Sequence, residues 1–160
     1  MENRFQQHII SSKDLNESRS NKISNMVFSN FSFLDKYPHL NHNIKEINKI
    51  INSTTSHTLL YTLDGSIVAY VMCDIMNLKD GRKVLYIDYI FVVPQFRHAG
   101  IGKKMLTYTF NTAKQNNLSG VMLTSDSQDQ YVYNWYLDYG FMPDVLLRTY
   151  NRHEILYKAL

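Results

Sequence analysis

A single cysteine, Cys73, is all the chain contains, so no disulfide can close within it. That scarcity suits a reducing compartment, and within its apolar run the thiol reads as a small buried hydrophobe. No run of lysine or arginine is present, and the net charge of +3 with a pI near 8.9 is only mildly basic. A nucleic-acid-binding face is therefore not expected. No apolar stretch reaches the length of a membrane span, and the opening residues Glu2, Asn3 and Arg4 carry no signal-peptide core. These absences lead to the expectation of a cytoplasmic protein with neither a nucleic-acid nor a membrane partner. Repeats and low-complexity linkers are missing too. His39 and His42 have a spacing seen in metal sites, but no further ligand cluster accompanies them. The expectation is a solvated loop and no metal.

What is present is a well-packed globular composition, 44% hydrophobic and 13% aromatic over 160 residues. A chain of this length is expected to form one domain, residues 1–160, burying roughly 70% of its unfolded surface. Arg4 to Ile10 reads as a strand, and Ser12 as the N-cap of a helix reaching Val27. Phe28 to Leu40 is aromatic and irregular, broken by Pro38. Ile44, Ile47, Ile50 and Ile51 then recur at helical spacing. Thr58 to Leu63 and Ser66 to Met76 flank Asp64-Gly65, a strong hairpin signal. A second turn at Asp80-Gly81 leads to a fourth strand, Lys83 to Val93. The helix Ile101 to Gln115, the strand Leu118 to Thr124, the helix Gln128 to Tyr139, and strands Phe141 to Tyr150 and Glu154 to Ala159 complete a mixed α/β sheet.

The most informative segment joins the fourth strand to the helix after it: Pro94-Gln95-Phe96-Arg97-His98-Ala99-Gly100-Ile101-Gly102-Lys103-Lys104. Such a junction aims unpaired amides and the positive end of a helix dipole at one point, as a phosphate site requires. It is not a P-loop, because Lys104 follows Gly102-Lys103 and Arg97 stands where the first glycine should be. Nor is it the dinucleotide fingerprint, since Met105 occupies the place of its third glycine. Read alone, Arg97-x-x-Gly100-x-Gly102 fits either a phosphate cradle or a turn that merely starts a helix.

Arg97-x-x-Gly100-x-Gly102 after a long hydrophobic strand resembles the pyrophosphate motif of the GCN5-related N-acetyltransferase superfamily. Asn134-Trp135-Tyr136-Leu137-Asp138-Tyr139-Gly140-Phe141 resembles that family's aromatic-Tyr-x-x-x-Gly-Phe signature. The resemblance implies a mostly antiparallel central sheet of about seven strands flanked by helices. It is the GNAT-like acyl-CoA N-acyltransferase fold, in which the fourth and fifth strands splay apart. It implies acetyl-CoA as cosubstrate, with its diphosphate on Arg97, His98, Ala99, Gly100, Ile101, Gly102 and Lys103. Backbone groups of Ile90, Phe91 and Val92 would line the pantetheine and polarise the thioester. The position seven before Tyr136, often an asparagine that bonds the pantetheine, is Asp129 here. A carboxylate cannot donate as an amide does.

The implied activity is transfer of an acetyl group from acetyl-CoA directly to a primary amine of a small molecule or peptide. A lysine-like amine with pKa about 10.4 must lose its proton first, a cost of roughly 4–5 kcal/mol at pH 7. Asp88 interrupts an otherwise apolar strand and is the candidate base; an edge position or a salt bridge would explain it as well. Tyr136 aligns with the tyrosine that often hydrogen-bonds the coenzyme A sulfur, and is the candidate acid. Val132, Tyr136 and Tyr139 also share a helical face, a pattern equally at home in a core. Acceptor specificity is expected from Phe28 to Leu40 and from the segment Arg148 to His153. Members of this family often dimerise, which leaves a homodimer open to the chain. The reading from a different class is a non-catalytic acyl-CoA-binding or interaction module on the same scaffold.

Overall fold

The structure is a computed structural model and describes residues 5–160. Seven strands form one sheet in the order β1-β2-β3-β4-β5-β7-β6. They are β1 (Gln6–Ile10), β2 (Ser56–Leu63), β3 (Ser66–Asn77), β4 (Lys83–Val92), β5 (Gly120–Asp126), β6 (Met142–Pro143) and β7 (His153–Ala159). The helices are α1 (Glu17–Asn30), α2 (Ile44–Ile51), α3 (Ile101–Gln115) and α4 (Gln130–Asp138). Arg4, expected to open the first strand, lies outside the described residues. Among those described, no helix is long and apolar enough to cross a membrane. The mixed α/β class expected from the element order is the one observed.

The chain divides into two compact units. The first holds the residues up to Asp74 together with Tyr89–Arg97. Here β2 pairs antiparallel with β1 and with β3. The β2–β3 turn places Asp64 at φ 50° and Gly65 at φ 83°, as a two-residue hairpin of the favoured twist requires. Asparagines start both helices: Asn16 accepts from Arg19 N at 2.7 Å, and Asn43 from Glu46 N at 2.9 Å. The first helix therefore begins after Asn16 and not at Ser12. Ser11 and Asp14 form a local turn instead, in which Asp14 Oδ2 accepts from both Ser11 N and Ser11 Oγ. Ile23 and Val27 of α1, Ile47 and Ile51 of α2, and Ile10, Leu60, Tyr70 and Met72 of the strands make the core.

The second unit is Ile75–Asp88 with His98–Leu160. Its β4 segment runs parallel to β5, pairing Val84 to Ile87 with Gly120 to Leu123. Only four pairs form, while β4 runs on to Val92 and β5 to Asp126. β7 pairs antiparallel with β5 and with β6, and α3 and α4 both lie against β5. Helix α3 matches its expected span and buries Ile101, Met105, Leu106, Thr109, Thr112 and Ala113.

At Gly120 of β5 the neighbouring β7 leaves no room for a side chain. A Cβ there would overlap the Lys158 carbonyl oxygen and lie 2.8 Å from the Tyr157 ring. Gly120→Ala is therefore expected to destabilise the protein by about 3 kcal/mol, because backbone must shift to admit one methyl group. Urea unfolding followed by circular dichroism would measure it, and a midpoint unchanged from wild type would refute the clash.

The strand expected over Phe141 to Tyr150 is not formed beyond Pro143. Asp144 explains the difference. Its side chain is 3% exposed and takes both guanidinium arms of Arg82, at 2.8 and 3.0 Å. The same carboxylate accepts from Leu147 N at 2.8 Å, turning the backbone out of strand geometry. Residues 145–152 continue as a loop that exposes Val145, Leu146 and Tyr150.

Candidate active site

The loop before α3 is built as a helix entrance without a side-chain cap. Pro94–Phe96 forms one 3-10 turn, closed by Arg97 N donating to Pro94 O at 3.2 Å. His98 and Gly100 both take positive φ, 67° and 85°. Gly100 is the N-cap, and glycine adopts that left-handed geometry without a Cβ penalty. The first intrahelical bond runs from Lys104 N to Gly100 O at 3.2 Å. The amides of the opening turn precede it, and no side chain caps them. Lys103 and Lys104 are exposed beside them.

Two contacts bring this loop to α4. The Cβ that Gly102 lacks would stand 3.1 Å from the Trp135 ring. A methyl group there would press on that ring, so glycine favours close packing against α4. The His98 ring meets Tyr131 edge-on, with Nδ1 and the phenol oxygen 3.2 Å apart. Neither Trp135 nor Tyr131 stood out beforehand, although Trp135 lies inside the aromatic signature.

Tyr136 is buried, at 6% exposure, with Phe141 edge-on at 5.8 Å. Burial, and next the Asp129 carboxylate, push its phenol well above its ordinary value of 10.0. Asp129 is the N-cap of α4 and accepts from Val132 N over a long 3.5 Å. Within the second unit, His98 and Gly102 thus reach α4 through Tyr131 and Trp135, and Asp129 and Tyr136 belong to that same helix segment. Asp88 belongs to that unit as well, with Oδ2 buried. Burial, and to a smaller degree the Asp88 charge, raise the neighbouring Tyr86 phenol, which bonds Thr124 Oγ1.

The first unit holds the remaining positions. Arg97 Nε donates to Val92 O at 2.8 Å, and its guanidinium carbon lies 5.5 Å from the Phe91 ring centre. Arg97 thereby braces the end of β4, and any phosphate contact falls to its remaining N–H groups. Of Val92's main-chain groups, the carbonyl is already engaged. The expected acceptor segment is partly assembled here. Phe31 meets Tyr89 edge-on at 4.9 Å and Phe91 at 5.9 Å, and Phe33 next to it is 55% exposed. His42 is not solvated as expected: it stacks on Phe28, and both ring nitrogens have partners. In the second unit, a shallow cleft of about 260 Å³ lies beside Arg148, Thr149, Tyr150 and Glu154.

A model of the acetyltransferase (GNAT) family matches residues 23–141, most of the chain. The chain belongs to this family. Comparison with curated proteins gives no match. Among solved structures, this GNAT chain is similar to an acyl-CoA N-acyltransferase from Pseudomonas aeruginosa, at 17% identity over 97% of this chain and 99% of that one, with TM-score 0.73. It is similar to the PaiA N-acetyltransferase of Thermoplasma acidophilum, solved with coenzyme A, at 13% identity, 98% and 99% coverage, and TM-score 0.69. The aminoglycoside acetyltransferase meta-AAC0020 from an uncultured soil metagenomic sample is 16% identical over 92% and 95%, with TM-score 0.66. At these identities the solved structures establish the fold, and the family match places this GNAT chain among the acetyltransferases.

Proposed function

We propose that the protein transfers the acetyl group of acetyl-CoA to a primary amine of a small molecule or peptide, as one acetyltransferase domain. The observation that carries this reading is the uncapped amide turn at Gly100, packed through Gly102 against the helix that bears Tyr136. The family match spans residues of both units, which supports reading them as a single domain. Amides of Ala99 to Lys103, with Arg97 and Lys103 supplying charge, are the proposed diphosphate grip. Bound acetyl-CoA would supply an activated thioester. The chain's own part is to hold it by Ile90, Phe91 and Val92 and to manage two protons.

Tyr136 is the proposed donor to the departing sulfur. Because burial holds its phenol above the ordinary range, it gives a hydrogen bond more readily than its whole proton. Asp88 is the proposed base, directly or through water. Asp129 caps α4, a role that an asparagine would fill equally well.

Coenzyme A at a hundred times its dissociation constant should add about 2.7 kcal/mol. For a chain of this size that raises the melting temperature by about 5 to 10 °C. Thiol release from acetyl-CoA with a panel of amines then tests the transfer itself. No thermal shift and no thiol release would overturn the proposal.

A further inference from the structure

In the first unit, Tyr89 of β4 and His42 of the loop before α2 form a polar pair set among aromatic rings. The Tyr89 oxygen and His42 Nδ1 are 2.7 Å apart. His42 Nε2 lies 3.2 Å from the carbonyl oxygen of Phe28. A carbonyl can only accept, so Nε2 must carry the ring proton of the neutral imidazole. Nδ1 is then the lone-pair nitrogen, and the Tyr89 hydroxyl donates to it. With its one O–H engaged in donating to His42, the Tyr89 oxygen can meet a further group only as an acceptor. Whatever docks on it must bring an N–H or O–H.

The surroundings narrow the choice. The Phe31 ring stands edge-on to Tyr89 and to Phe91, and Phe33 extends the aromatic surface toward solvent. Aromatic faces attract cations, as the Arg97 guanidinium near Phe91 illustrates. Among cationic donors, the one that the proposed reaction brings is the ammonium of the amine to be acetylated. Tyr89 immediately precedes Ile90, Phe91 and Val92, the residues proposed to hold the thioester.

We propose that Tyr89, held by His42, is the hydrogen-bond acceptor on which the acceptor ammonium docks, with Phe31 and Phe33 flanking its carbon body. This rests on the amine-acetylation reading above. Tyr89 contacts the substrate; His42 is a positioning residue, acting through the orientation of the Tyr89 hydroxyl.

Steady-state kinetics of Tyr89→Phe should show KM for the amine raised about tenfold or more, with kcat changed far less. His42→Phe keeps a ring to stack on Phe28 but removes the acceptor nitrogen, and should raise KM similarly. His42→Asn places an amide oxygen near the former Nδ1 and should restore part of the loss. The Tyr89→Phe/His42→Phe double variant should be no worse than either single one. Tyr70→Phe, which removes a phenol bound to Asn30 in the same cluster, is the control and should keep wild-type KM. Nitrogen-15 spectra of histidine-labelled protein provide a measurement independent of turnover: His42 should be the Nε2–H tautomer, and an Nδ1–H tautomer would overturn the proposal. If coenzyme A stabilises Tyr89→Phe normally and its amine KM equals the wild-type value, this inference alone fails. If coenzyme A fails to stabilise even the wild-type protein, the acetylation reading falls and takes this one with it.

Discussion

Tyr136→Phe should lower kcat for amine acetylation by about a hundredfold, while coenzyme A still raises the melting temperature as it does for wild type. The substitution keeps the ring that packs on Phe141 and removes only the hydroxyl. Without a donor, negative charge building on the leaving sulfur is left to water. The same residue makes a prediction about pH. Burial, with the Asp129 charge in second place, holds the phenol above its ordinary 10.0, so it stays protonated throughout the range up to that value. The pH profile of kcat should therefore have no alkaline fall below about pH 10 that disappears in Tyr136→Phe. A phenylalanine variant with wild-type kcat would remove Tyr136 from the chemistry and leave it as core.

Arg82→Met should destabilise the protein by about 3 kcal/mol, lowering the melting temperature by roughly 10 °C. The reason is the partner left behind. Asp144, 3% exposed, would lose both guanidinium contacts and remain as a buried carboxylate held only by backbone amides. Asp80, on the other side of Arg82 at 2.8 Å, is more exposed than Asp144 and should matter less. Hydrogen bonding to Arg82 holds the Asp144 carboxyl below its ordinary 3.8. A depressed carboxyl contributes its full stability above that value, and the contribution is lost as pH falls through the folded-state pKa. Wild type should thus lose stability more steeply than Arg82→Met as the pH falls below about 4. Equal acid slopes in a calorimetric series would show that the pair does not anchor residues 144–152.

That anchor also marks where reading along the chain failed. Phe141, Met142, Val145, Leu146 and Leu147 look like one apolar strand, and nothing nearby contradicts it. What ends the strand is a carboxylate at 144 meeting a guanidinium at 82, a partnership that neighbouring residues do not announce. His42 failed in the same way. Its loop is polar and offers no second ligand, so solvent was the natural expectation, yet Tyr89 and the Phe28 carbonyl claim both nitrogens. Gly102 likewise has a neighbour that the sequence does not announce, since a Cβ there would press on the Trp135 ring. In each case the deciding contact joins segments remote in sequence.

The parts that were legible rest on local physics. The span of α3 follows from a glycine able to take positive φ at 100 and an apolar stripe after it. The β2–β3 hairpin follows from Asp64-Gly65, and α4 from the aromatic signature. Turn chemistry and periodicity are settled within a few residues, so the sequence by itself determined the element order, the family and the loop before α3. Tertiary structure alone decided which donors and acceptors meet. That Tyr136 is buried, that Tyr89 and His42 share a hydrogen bond, and that Asp144 stops a strand depend on desolvation and pairing across the fold, and those exist only once distant segments have packed.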